Sequence, residues 1–122
     1  MNHNQFDKIV QEAVQELPAD IRGMLSNVEI TVEDRPSAEL LASLGLPPGS
    51  ALFGLYRGIP QTKRSRSYNL VPPDRISIFR EPIIRAHQSQ EAIKHQIMRT
   101  VLHEIGHHFG LTEKRLRELG YG

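Results

Sequence analysis

The chain has 122 residues, 15 lysines and arginines against 14 aspartates and glutamates for a formal net charge of +1, and no cysteine. That length suits a single domain, 1–122, with room for a real core. The near-neutral charge argues against strong nucleic-acid binding or an acidic partner, and the lack of thiols excludes disulfides and thiolate zinc sites, so any metal must take nitrogen and oxygen ligands.

The first residues, Met1-Asn2-His3-Asn4-Gln5-Phe6-Asp7, contain no basic region leading into an apolar run, and no stretch approaches membrane-spanning length. A cytoplasmic protein with no membrane and no nucleic-acid partner is expected. Phe6, Ile9, Val10, Ala13, Val14 and Leu17 recur at helical spacing and Pro18 stops the pattern, which predicts an amphipathic helix over 5–17 packed on a sheet. A short helical turn over 20–25 follows. Residues 28–32 alternate apolar and polar as a half-buried strand does. Residues 38–44 read as a short helix closed by Gly45, Pro47-Pro48-Gly49 as a turn, and 51–59 as a second strand.

The run Gln61-Thr62-Lys63-Arg64-Ser65-Arg66-Ser67 is basic but short, and the rest of the chain does not extend its charge, so it reads as a solvated hairpin tip. Arg75-Ile76-Ser77-Ile78-Phe79 alternates again, and Pro82 limits that strand to an edge or an end. An edge strand beside a cleft can pair with an extended chain. A peptide or protein substrate along Arg75 to Phe79 is therefore one expectation, and an ordinary sheet strand without a ligand is the other.

Ser89 is placed to cap a long helix with Glu91 in its first turn, running to about Phe109. Ile93, Ile97, Met98, Val101, Leu102, Ile105 and Phe109 fall on one apolar arc, while His103 and His107 project from the other side. His108 is turned towards Ile97, Val101 and Ile105 and is expected to be a buried or partly buried structural residue without a metal role; His87 and His95 are expected at the surface. Gly110 permits a sharp exit, and Thr112 can cap a final short helix through Leu119 with Gly120 as its stop.

The chemistry concentrates in His103-Glu104-Ile105-Gly106-His107. Histidines at i and i+4 are offset by roughly 40° around a helix, so both imidazoles can reach one metal ion. Glu104 would stand beside the open coordination position, where a carboxylate takes a proton from water, which makes it the base and not a ligand. In the longer H-E-x-x-H-x-x-G-x-x-H pattern the last ligand position falls on Glu113. Two histidines and a carboxylate form an acceptable zinc set with room for water. Glu113 as a mere complement to the dipole of the last helix, and Glu118 as the ligand, are the alternatives.

On Gly54-Leu55-Tyr56-Arg57-Gly58-Ile59-Pro60, on Pro73-Asp74-Arg75-Ile76-Ser77-Ile78-Phe79-Arg80, and above all on His103 through Leu111, the chain resembles the small bacterial zincin-like metallopeptidases, or minimal zincins with a matrix-metalloprotease-like domain. The resemblance covers nearly the whole chain. It implies an α+β domain in which a small twisted mixed sheet packs on an N-terminal helix and an active-site helix, followed by a short C-terminal helix. It also implies Zn2+ at His103, His107 and an acidic third position, here Glu113 where relatives usually carry aspartate. Larger metzincins continue into a subdomain with a methionine turn, whereas the last methionine here is Met98, before the motif. The substrate site is then shallow, or a partner protein completes the cleft.

The expected activity is that of a zinc metalloendopeptidase with Glu104 as general base. Arg75, Tyr68 and Arg80 are candidates for a second electrophile at the developing oxyanion. A zinc-containing peptide-binding module with little turnover is the rival reading. A metal-dependent nuclease rests only on Lys63-Arg64-Ser65-Arg66 and is weaker.

Overall fold

A computed structural model of the chain describes residues 1–58 and 73–121. Among them, in chain order, are α1 (His3–Gln15), α2 (Ala19–Met24), β1 (Val28–Glu33), α3 (Ala38–Ser43), β2 (Gly54–Arg57), β3 (Asp74–Phe79), α4 (Arg80–Ala86), α5 (Gln90–Phe109) and α6 (Glu113–Glu118). The class is α+β, with six helices and a small mixed sheet of three strands among the described residues. Ile59 and the basic run at 61–67 lie outside those residues. No described helix is long and apolar enough to cross a membrane.

Local chemistry starts α1. The Asn2 side chain accepts from the Gln5 N–H and the Gln5 side chain accepts from the Asn2 N–H, both at 2.9 Å, a reciprocal cap on two otherwise unpaired donors. Phe6, Ile9, Val10 and Ala13 then form its buried stripe. That stripe packs mainly against α5, not on the sheet as the sequence pattern suggested. The reason is α5 itself, whose apolar arc is broad enough to meet α1 as well as β2 and β3.

The sheet order is β1-β3-β2. β1 and β3 are parallel, with Val28 opposite Asp74 and Glu33 opposite Phe79; β2 and β3 are antiparallel, with Gly54 opposite Ile78 and Arg57 opposite Arg75. β3 is thus the middle strand, which corrects the expectation that Arg75 to Phe79 form an edge. An extended substrate cannot add there, because both sides of β3 already have partners. Two facts explain the difference. Ile76, Ser77, Ile78 and Phe79 are all buried, the signature of a strand covered on both faces. Pro82 lies beyond the strand in the first turn of α4, where a missing N–H costs no intrahelical bond.

Candidate active site

α5 runs from Ser89, whose hydroxyl accepts the Ala92 N–H at 3.0 Å, to Gly110, whose left-handed φ of 73° ends the helix. It lies alongside β2 and in the same direction, with Thr100 against Gly54 and Glu104 against Tyr56. The approach is close because position 54 carries no side chain. A methyl group there would stand 2.6 Å from Thr100 Cγ2 and 2.8 Å from the Ser77 carbonyl oxygen.

At Tyr56 the strand and the motif meet directly. The Phe79 N–H donates to the Phe53 carbonyl, which sets the alternation of the β2–β3 ladder and turns the N–H groups of Gly54 and Tyr56 away from β3. The outward Tyr56 N–H donates to Glu104 Oε1 at 2.7 Å. Glu104 is therefore held by the sheet through one carboxylate oxygen.

His103 and Glu104 line a cleft of about 470 Å³ together with Phe53, Gly54, Gln96, Arg99 and Thr100. His103 Nε2 is buried and has no hydrogen-bond partner. A buried polar atom of this kind is costly unless something takes its lone pair or proton, and a metal ion is one group that would. On that observation His103 fits a zinc site. His107, four residues on, and Glu113, the first residue of α6, are both exposed. Among the described residues no three His, Cys, Asp or Glu side chains are gathered into a group that could hold a metal ion, so the structure does not bring Glu113 to the histidines. Glu118, the alternative ligand, pairs with Arg115 at 3.6 Å.

His108 differs from the sequence expectation. It is exposed, and its ring stacks on Tyr56 with centroids 3.6 Å apart at 26°. The buried run of α5 ends at Gly106, so His108, in the last turn, lays its ring on the buried Tyr56 at the rim of the core; the Tyr56 hydroxyl in turn donates to Asp74 Oδ2 at 2.6 Å. Phe109, also placed on the apolar arc by its spacing, is 46% exposed for the same reason. His95 is exposed as expected and stacks on Tyr121, whereas His87 is half-buried and bonded to Gln96 at 3.0 Å.

The expected electrophiles are placed elsewhere. Arg75 pairs with Glu29 at 3.9 Å and Arg80 with Asp34 at 3.2 Å, and neither lines the cleft; Tyr68 lies outside the described residues. Hydrogen bonds from His3 and then Arg80 hold the Asp34 carboxyl below its ordinary value, remote from the motif. The residues that sequence reasoning overlooked are Gln96, Arg99 and Thr100. Their signal was available: they precede His103 by seven, four and three positions and so share its helix face. Gly54 carried no such signal, since its role depends on which helix crosses it.

The solved structure of a conserved hypothetical protein from Thermo thermophilus is similar to this chain with a TM-score of 0.55 and 19% identity, over 89% of this chain and 94% of that one. That likeness concerns the fold. No curated protein matches the chain. The profile of the zincin-like metallopeptidases matches residues 25–122, a span that holds all three strands, the long helix and the His103 to His107 motif, and the chain belongs to the zincin-like metallopeptidase family.

Proposed function

We propose that the chain is a zinc-dependent metallopeptidase that hydrolyses internal peptide bonds, with Glu104 as general base. The observation that carries this reading is the pairing, in one cleft, of a buried His103 Nε2 without a partner and a Glu104 carboxylate fixed by the Tyr56 N–H. His103 and His107 would hold the metal, and Glu113 would complete the set by a movement of the segment after Gly110, since the three are not gathered in this structure. Zinc, when bound, supplies Lewis acidity that polarises the scissile carbonyl and acidifies water.

The remaining chemistry belongs to the chain. Glu104 accepts a proton from water as its oxygen attacks the carbonyl carbon. The same carboxyl then delivers that proton to the leaving nitrogen as the C–N bond breaks. Its anchored oxygen limits the rotamers available to the other, which favours orientation over mobility. An extended substrate would add at β2, the outer strand among the described residues, where the register turns the Gly54 N–H and carbonyl away from β3 beside the cleft.

A second reading, a zinc-containing peptide-binding module, is favoured by a cleft that the described residues line only from the start of β2 and from α5, with no further wall. The two separate on one comparison: wild type and Glu104→Gln, loaded with zinc, are incubated with a diverse peptide library and the products read by mass spectrometry. Cleavage by wild type alone supports the peptidase. Intact peptides in both, with binding retained in both, support the module.

A further inference from the structure

We infer that Arg99 selects the substrate at this site by binding a peptide carboxylate on the leaving-group side of the scissile bond, an inference that rests on the peptidase reading. Of the residues lining the cleft, Phe53, Gly54, Gln96, Thr100 and His103 carry no fixed charge, and Glu104 is engaged by Tyr56. Arg99 is the remaining charged group. It is exposed, and no carboxylate among the described residues pairs with it. Arg35, Arg57, Arg75, Arg80 and Arg115 each have an acidic partner, and Arg22, Arg85 and Arg117, which have none among the described residues, lie outside the cleft. A guanidinium left unpaired in a cleft offers a planar fork matched to a carboxylate.

Direction along the groove fixes which end of the substrate it meets. Thr100 lies against Gly54 and Glu104 against Tyr56, so Arg99 stands at the Gly54 end of β2. A chain added antiparallel to β2 carries its C-terminal half towards that end. One added in the parallel sense would bring its N-terminal half, and at a chain end its ammonium, to the guanidinium. Charge therefore favours the antiparallel orientation. Four helical residues separate Arg99 from His103, a rise of about 6 Å, or about two residues of extended chain. The carboxylate thus belongs within about two residues after the bond that is cut. It is either the C-terminal carboxylate of a short substrate or an aspartate or glutamate side chain.

The test reads binding on the Glu104→Gln protein by fluorescence anisotropy, with three N-terminally labelled peptides of one neutral sequence. The first ends in a free acid, the second in an amide, and the third in an amide with glutamate at the penultimate position. At least one carboxylate-bearing peptide should bind about tenfold tighter than the neutral amide. Preference for the first identifies the chain terminus, and preference for the third identifies the side chain. Arg99→Gln should erase the preference and Arg99→Lys should keep part of it, while Arg117→Gln, an exposed arginine outside the cleft, should leave it intact. Equal affinity for all three peptides, absence of binding, or a preference that survives Arg99→Gln overturns the inference. The peptidase reading fails separately: a wild-type protein that shows the Arg99-dependent preference but never cleaves sinks that reading alone, and one that cleaves without any carboxylate preference sinks this one alone.

Discussion

The backbone N–H of Tyr56 donates to Glu104 Oε1 at 2.7 Å, a bond between β2 and the motif helix across 48 positions of sequence. Glu104, the proposed general base, is thereby positioned by the sheet as well as by its own helix.

Substitutions at Glu104 should divide accordingly. Glu104→Gln keeps an oxygen that can accept from Tyr56, so its thermal midpoint should stay close to wild type while peptide turnover falls by about 10²–10⁴-fold. Glu104→Ala removes the acceptor and should cost about 1–3 kcal/mol in denaturant unfolding as well. Equal stability of the two variants would mean that the Tyr56 bond contributes nothing to the fold.

Gly54→Ala should destabilise the chain by about 1–3 kcal/mol, since the added methyl meets Thr100 Cγ2 and the Ser77 backbone oxygen. Adding Thr100→Ser removes only the first contact, so the double variant should recover part of the loss. Full recovery would show that the strand moves freely from the Ser77 oxygen.

Metal content separates ligands from neighbours. Elemental analysis of zinc-reconstituted protein should give stoichiometric zinc for wild type and for His108→Ala, and loss for His103→Ala and Glu113→Ala. Zinc equal to wild type in Glu113→Ala would remove that carboxylate from the site. His108→Ala should instead lower stability by about 0.5–1.5 kcal/mol, through the lost stack on Tyr56.

Acid should weaken the fold partly through Asp34, whose carboxyl is held below its ordinary value by His3 first and Arg80 second. A carboxyl that titrates lower in the folded chain stabilises above the unfolded value. That contribution is lost as pH falls through the folded value, below about pH 4. Thermal midpoints of wild type and Asp34→Asn between about pH 2 and pH 6 should converge at the acid end. A gap that does not change with pH would mean that the two hydrogen bonds do not persist in solution.

Much of this was legible in the chain. The Ser89 cap, the Gly110 exit with its φ of 73° and the Thr112 cap followed from residue chemistry within one turn, and each stands where the pattern put it. The α+β class and the placement of His103 to His107 on one long helix were equally accessible, because helical periodicity is a local property. Strand order was not: the spacing around Arg75 to Phe79 and the nearby Pro82 suggested an edge, although β3 pairs on both sides. Likewise, angle on the helix put His108 among core residues, but the buried run of the helix stops at Gly106 and the exposed ring of His108 stacks on Tyr56 at the rim of the core.

The sequence by itself determined the helix that carries the motif, the residue types that can bind a metal and the carboxylate that can move a proton. Only the tertiary structure decided that Glu104 is tied to Tyr56, that Gly54 lets β2 approach Thr100, and that Arg99, without an acidic partner among the described residues, lines the same cleft as His103. The division has one physical cause. Caps and periodic faces are set by bonds within a few residues, while strand neighbours and cleft walls are set by burial and hydrogen bonding between segments far apart in the chain.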